Sequence, residues 1–600
     1  MPEITETPEL ERKSMLRDIN IPDVIDRDPD PESGPRLAVS EFRIQGLAEY
    51  PELGITRKAL GELVEKIRFD FMAEGKLLES GYTIDELGDL SNLLVDIEEQ
   101  TTKRHVTPIE VQKLVWLIRG QRAKRGITLG QIETIADKIT RFYRERGFIL
   151  AKAYIPKQEV RDGIVTLTLL LGMLGDVSVN NNKIYSSSKL KSVFDDMLTK
   201  PVTSKAVEEN LYLINDFPGI IVNGYFEPGY QVGDTKLTIN VKHEDKTNAN
   251  IRLDNHGTKS TGKNRVYADI QVNNLLGNAD LLGVSVLNTS EPNNTQYWRV
   301  HYDTYLFSPR LKFGLGTSKN QFLVDKSDLN ATVGIHGEVE ITDATLKYQI
   351  TRSRIKNSSL TIKNESIYSD LQIGQFIDVN NKLDDKLNNT SIIYNYDLLN
   401  EKKKVLHQGQ IKYTSGEFIF GAEDGQDKQY SFLNVDYTRL SFVKVPFTES
   451  TSRLIMRVNV QYSGKPLPTV SRFSLAGPTK ARGYASDIYS TDDAVFIGVD
   501  WLFNSPDIFN FNLFSDVNFQ KLAKPFVFVD AAYGIQYSIN PSESAINGQL
   551  LNAGVGIQLS HKNFSGNMHF AVPISKSFSS DISPAEDENV RVIFDFQYKF

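Results

Sequence analysis

The sequence predicts α+β modules followed by a transmembrane antiparallel β-barrel of about sixteen strands. Three observations carry this. From about residue 249 to Phe600 the hydrophobic period is two and stays two. No run of about 18 apolar residues occurs, so any membrane crossing falls to strands. Residues 39–246 instead mix helical periodicity with short strands, in the same order twice.

The alternation is regular enough to assign faces. Leu454, Met456, Val458, Val460 and Tyr462 oppose Arg453, Arg457, Asn459 and Gln461, and Trp298, Val300 and Tyr302 oppose Arg299, His301 and Asp303. Leu551, Ala553, Val555, Ile557 and Leu559 alternate with Asn552, Gly554, Gly556, Gln558 and Ser560. A soluble β-sandwich or solenoid with one wet face shares this period. Here, however, full charges stand opposite apolar faces in strand after strand. Turn pairs such as Asn293-Asn294 and Asn380-Asn381 recur without a helix-length interruption. The chain also ends within a strand, on an aromatic. Phe594, Phe596, Tyr598 and Phe600 are therefore expected to form the strand that closes the barrel and leaves no free edge.

Composition excludes several functions. A net charge of −8 argues against a nucleic-acid surface. With no cysteine there is neither a disulfide scaffold nor a thiolate metal site, which suits an oxidising compartment. The eight histidines are scattered, with no HExxH spacing; there is no Gly-x-Ser-x-Gly elbow and no phosphate-binding loop. No enzyme, cofactor, metal or ATP-driven step is expected. His561 and His569 read as residues flanking a hairpin turn at 562–566, and Gly314-Leu315-Gly316 lies in an alternating strand. The start MPEITETPEL has neither a basic opening nor an apolar signal core, so a mature form with its signal peptide removed is expected.

Ahead of the barrel, Thr7-Pro8-Glu9 is a helix start, with Thr as N-cap and Pro at the first helical position. Residues 8–18 are charged nearly all round, with Leu10, Met15 and Leu16 as the few apolar residues, so this helix cannot bury a broad face. A stiff acidic linker at 21–38 contains Pro22, Pro29, Pro31 and Pro35. The first module, 39–173, shows a strand at 42–44, helices at 59–71, 84–97, 108–118 and 129–143, and strands at 149–155 and 164–170. The second, 174–246, shows a strand at 176–179, helices at 188–198 and 204–214, and strands at 220–226 and 236–241.

Several motifs stand in a telling order. Phe142-Tyr143-Arg144-Glu145-Arg146-Gly147-Phe148, Ala153-Tyr154-Ile155-Pro156-Lys157-Gln158 and Asp162-Gly163 end the first module. Ile214-Asn215-Asp216-Phe217-Pro218-Gly219 and Pro228-Gly229 mark the second. Asp254-Asn255-His256-Gly257, Gly262 and Asn273-Asn274-Leu275-Leu276-Gly277-Asn278-Ala279-Asp280 open the barrel. Together they resemble the two-partner secretion transporters (TpsB family), whose soluble modules are called POTRA domains. The resemblance implies two periplasmic POTRA domains at 39–173 and 174–246, a plug helix at 1–20, and a barrel at 247–600 in the bacterial outer membrane.

Gly477-Pro478-Thr479-Lys480-Ala481-Arg482-Gly483-Tyr484 resembles the loop tip that folds into the lumen throughout that superfamily, and Phe528-Val529-Asp530 resembles its wall motif. Counting by two from Val527, Val529, Ala531 and Tyr533, facing lipid, places Phe526, Phe528 and Asp530 in the lumen. Arg482, Gly483, Tyr484, Phe528 and Asp530 are thus expected to form a latch: a guanidinium–carboxylate pair is directional, and Gly483 permits a tight turn and close approach. Two features depart from the family. Ala532 stands where Gly is usual, and the first module is long, with a helical surplus at 55–125.

The resemblance implies export of a large secreted exoprotein: an adhesin, a haemolysin or a contact-dependent inhibition toxin. A barrel-assembly insertase is the alternative; it would carry more modules and no plug, while a porin would need no modules. Outer-membrane lipid and the barrel-assembly machinery are the other expected partners, nucleic acid is not, and a monomer is expected.

Overall fold

A computed structural model describes residues 30–72, 76–101, 104–124, 126–324, 335–373, 383–446, 450–514, 517–540, 542–579 and 589–600. The expected plug helix at 1–20 and the linker up to residue 29 lie outside the described residues.

The first module is a three-stranded sheet covered by two helices. Ile164–Leu170 is central, parallel to Glu41–Gln45 and antiparallel to Lys152–Tyr154. Helix Leu129–Glu145 forms because Thr128 and Gln131 make a reciprocal capping box and because Ile132, Ile135, Ala136, Ile139 and Tyr143 recur on one buried face. Tyr143 donates to the Ala48 carbonyl at 3.0 Å, and burial pushes its phenol up to about 12. Helix Arg57–Phe71 contributes Leu60, Val64 and Ile67 to the same core. Among the described residues, none between Met72 and Ile127 belongs to that core. The surplus is therefore shorter than its periodicity suggested, because Ile55 and the helix after it are integral to the module. It consists of helices Ile84–Thr101 and Pro108–Lys124 packed mainly on each other.

The second module repeats the plan. Asp234–Glu244 is central, parallel to Met173–Asn180 and antiparallel to Ile220–Pro228. The helix expected at 188–198 is split into α-helix Ser187–Lys191 and 3-10 turn Ser192–Met197. Helix Ser204–Asn215 buries Val207, Leu211 and Ile214 against the sheet.

Sixteen antiparallel strands then close into a barrel, each pairing its neighbours. They run from Thr247–Asp254, with 8 residues, to strands of 18 such as Ile335–Arg352. The seam joins the last strand, Arg591–Lys599, to the first through five pairs, from Asp595↔Asp254 to Lys599↔Asn250. Above that register the Asn255 side chain bridges the gap, accepting from the Phe594 N–H at 2.8 Å and donating to the Val592 carbonyl at 2.7 Å. Phe596 and Tyr598 pair with Leu253 and Ile251, and the Phe600 N–H reaches the Ala249 carbonyl at 2.8 Å. Along strand Ala523–Gln536 the faces separate: Val527, Val529 and Tyr533 are exposed, whereas Phe526, Phe528 and Asp530 are buried. Among the described residues no helix is long and apolar enough to cross a membrane.

The second module is fastened to the barrel. Arg352 donates Nε and Nη2 to the two oxygens of Asp216, both at 2.7 Å, and its guanidinium lies 4.8 Å from the Tyr212 ring. Arg310 reaches Glu209 at 2.9 Å, and the Tyr305 hydroxyl donates to the Asp216 carbonyl at 3.1 Å. Helix Ser204–Asn215 is thereby held at the end of the barrel from which the modules enter. It borders a cavity of about 970 Å³ lined by Tyr212, Asp216, Lys347, Arg352, Asp397 and Asp436.

Candidate functional site: a loop folded into the barrel lumen

Strands Thr451–Tyr462 and Asp493–Leu502 pair from Arg453↔Leu502 to Gln461↔Ala494. The residues between them turn inward. At their root, Asp492 accepts from the Leu467 N–H at 2.8 Å, the Tyr537 N–H at 2.7 Å and Arg472 Nε at 3.2 Å. Asp493 accepts from the Ser463 and Gly464 N–H groups at 2.6 and 3.1 Å. A short ladder, Phe473–Ser474 with Ser490–Thr491, stiffens the loop. Leu475, Ala481, Tyr484 and Tyr489 give it a small core against Phe496, Ala532 and Leu550 of the wall. It is a folded object inside the barrel, fixed at its base.

At the tip, Arg482 is buried at 2 % exposure against Asp530 at 0 %. Its Nε and Nη2 reach the two Asp530 oxygens at 2.8 Å each, and its backbone N–H adds a third bond at 3.2 Å. Nη2 also donates to Asp500. The guanidinium lies 3.6 Å from the centre of the Phe528 ring, a cation–π contact that desolvation strengthens. Tyr484 donates to the Leu551 and Ser575 carbonyls at 3.0 and 2.8 Å.

Cross-strand register explains the convergence. Arg457↔Gly498, Gly498↔Asp530 and Asp530↔Asn552 are direct pairs, so four adjacent strands place these residues in one row across the lumen wall. Asn552 donates to Asp530 at 3.2 Å, and Arg457 lies 3.0 Å from Asp500. Two arginines and two aspartates therefore share one buried site.

All five expected residues, Arg482, Gly483, Tyr484, Phe528 and Asp530, meet here. Gly483 does so through approach rather than turning: a Cβ there would lie 2.8 Å from Asn552 Cβ. The left-handed positions in the loop are Gly464, Gly477 and Ala481. At Ala532 the methyl packs on Phe496, and the backbone comes close instead at Gly534, where a Cβ would lie 2.5 Å from Thr491 Oγ1. Arg457, Asp500, Asn552 and the Asp492 root escaped sequence reasoning. The alternation had put Arg457 and Asn552 on polar faces, but register is a property of paired strands and cannot be read from one of them. His569 was misplaced: the hairpin turn is at residues 562–563, so His569 lies within strand Phe564–Phe578, buried against the rings of Phe526 and Phe528. No cluster able to hold a metal occurs among the described residues.

Comparison with known proteins decides the family. Residues 233–521 match the family described as haemolysin secretion/activation protein ShlB/FhaC/HecB, and residues 112–172 match the ShlB-type POTRA domain. The chain is a two-partner secretion transporter of the TpsB family. Over 510 residues it is 22 % identical to the heme/hemopexin transporter protein HuxB of Haemophilus influenzae, covering 81 % of this chain and 84 % of that one. It is 24 % identical over 376 residues to the outer membrane transporter CdiB of Escherichia coli, covering 61 % and 62 %. The fold matches the solved structure of CdiB from Escherichia coli with a TM-score of 0.66 at 17 % identity, over 98 % of this chain and 94 % of that one. CdiB from Acinetobacter baumannii gives 0.59 at 16 %, over 96 % and 92 %. This transporter resides in the outer membrane, with its POTRA domains in the periplasm, and exports a secreted exoprotein through its barrel. The insertase alternative is less supported.

Proposed function

We propose that the transporter receives an unfolded, β-rich exoprotein on its POTRA domains and that the loop tip at Arg482 is a reversible latch across the conduit. The observation that carries the reading is the tip itself. A folded loop lies in the lumen and is fastened by one buried arginine to Asp530 and Asp500. Directional charged bonds hold firmly in one seat and release as a unit, unlike a broad apolar contact.

The edges of the second module's sheet, Met173–Asn180 and Ile220–Pro228, are the docking sites for an extended client segment. Main-chain pairing binds such a segment with little sequence demand. The module's attachment through Asp216 and Arg352 delivers it to the barrel mouth. Passage requires the loop to shift, and folding outside the cell draws the client forward without ATP. The relatives' names point to clients of the hemopexin-associated or haemolysin kind; an adhesin or inhibition toxin fits the same chemistry. The apolar outer face contacts outer-membrane lipid, the barrel-assembly machinery inserts the protein, and it works as a monomer.

Deletion of the transporter in its host tests this. The reading predicts loss of one large secreted protein from the medium with other outer-membrane proteins unchanged. A general fall in outer-membrane proteins would instead indicate an insertase.

A further inference from the structure

One arginine of the site belongs to the wall, and its bonding is incomplete. Arg457 Nη1 donates to the Thr479 carbonyl of the loop at 3.0 Å. Nη2 lies 3.0 Å from Asp500 Oδ2 and 3.8 Å from Asp530 Oδ1. Nε is buried without a hydrogen-bond partner, which is rare for so strong a donor. One donor thus depends on the loop and another is idle.

We propose that Arg457 is a standby counter-ion, a positioning residue that moves onto Asp530 when the Arg482 tip withdraws. This rests on the reading of the tip as a latch. Withdrawal strips Asp530 of the three donors that Arg482 supplies and leaves it only Asn552 Nδ2, at 3.2 Å. A buried carboxylate with one neutral donor is strongly disfavoured, and that penalty would by itself hold the latch shut. Thr479 leaves with the same loop, so Arg457 Nη1 is freed as Asp530 is exposed. Arg457 then has Nε and Nη1 without partners, and its Nη2 already stands 3.8 Å from Asp530 Oδ1.

The path between them is clear for a stated reason. Gly498 is the register partner of both Arg457 and Asp530. A Cβ at residue 498 would lie 2.8 Å from the Phe496 ring, 3.0 Å from Asp530 Oδ1 and 3.2 Å from Arg457 Nη2, crowding the space beside both charges. Glycine leaves the two side chains in view of each other. The wall therefore keeps one cation, already within reach of both Asp500 and Asp530, when the Arg482 tip leaves.

The chain has no cysteine, so Ala481→Cys, buried in the seated tip, is a unique reporter of withdrawal. Its reaction with a membrane-impermeant maleimide is followed on the full transporter in outer membranes. The proposal predicts that Arg457→Gln slows labelling by about tenfold, because the open state loses its counter-ion, and that Arg457→Lys restores most of the rate. Unchanged or faster labelling in Arg457→Gln would overturn it, since a mere brace for Thr479 would loosen the loop when lost. Should Arg457→Gln insert poorly, Gly498→Ala, with both charges kept, carries the same prediction of slower labelling, and an unchanged rate there also overturns it. Arg482→Ala separates the two ideas. It must speed labelling if the latch exists; if it does not, the latch reading falls and this inference with it.

Discussion

Arg482 and Asp530 lie 48 residues apart in the chain and make a two-pronged pair with a third bond from the Arg482 backbone N–H. The geometry fixes both the position and the direction of the loop tip. Removing one member of a buried pair costs about 3–5 kcal/mol, because the other charge is left uncompensated. Under the proposed latch, the pair has two well-separated states rather than a graded contact.

Gly483 is expected to tolerate no side chain. A Cβ would sit 2.8 Å from Asn552 Cβ and 3.2 Å from the Pro573 nitrogen, both on wall strands. Gly483→Val should keep the tip from seating and raise single-channel conductance in planar bilayers while the barrel still inserts. Conductance equal to that of the unmodified protein would mean the tip finds another seat.

Tyr484 offers a milder lesion. Tyr484→Phe removes the hydroxyl that donates to Leu551 and Ser575 carbonyls at 3.0 and 2.8 Å. A loss of about 1 kcal/mol is expected, a several-fold shift toward the unseated tip. Maleimide labelling of the Ala481→Cys reporter should rise less than in Arg482→Ala.

The second module should loosen when Asp216 is lost. Its bonds to Arg352 are short, yet both side chains are partly exposed, so the effect is discounted to about 1 kcal/mol. Asp216→Ala should speed proteolysis near the module–barrel junction, and raising salt should bring the unmodified protein toward the same rate. Identical cleavage at low salt would show that the pair contributes nothing to docking.

The helical surplus in the first module should be dispensable for folding. Replacing residues 73–125 with a short Gly/Ser linker leaves every described residue of that core in place. Cooperative thermal unfolding should persist; its loss would show that the two helices support the core.

Much of this was legible in the sequence, and the reason is periodicity. The barrel, its approximate strand count and the lumen placement of Asp530 follow from a period of two that a buried or lipid-facing side enforces. The helices of the first module were readable from the spacing of their apolar residues, as over 129–143, whereas the Thr128–Gln131 capping box emerges only in the structure. What was hidden depends on pairing between distant strands. Arg457, Gly498, Asp530 and Asn552 form one row only because three registers agree, and Asp500 joins them only through Arg457 and Arg482. The limits of the surplus were also hidden, because helix Arg57–Phe71 looks like its neighbours by period while its Leu60, Val64 and Ile67 belong to the core.

Secretion of the partner exoprotein into the medium is the most direct measure of the central claim, compared between the unmodified transporter, Arg482→Ala and Asp530→Ala. Roughly tenfold less exoprotein outside the cell is predicted for both, at equal amounts of heat-modifiable, folded barrel in the outer membrane. Normal secretion by both variants would contradict the latch.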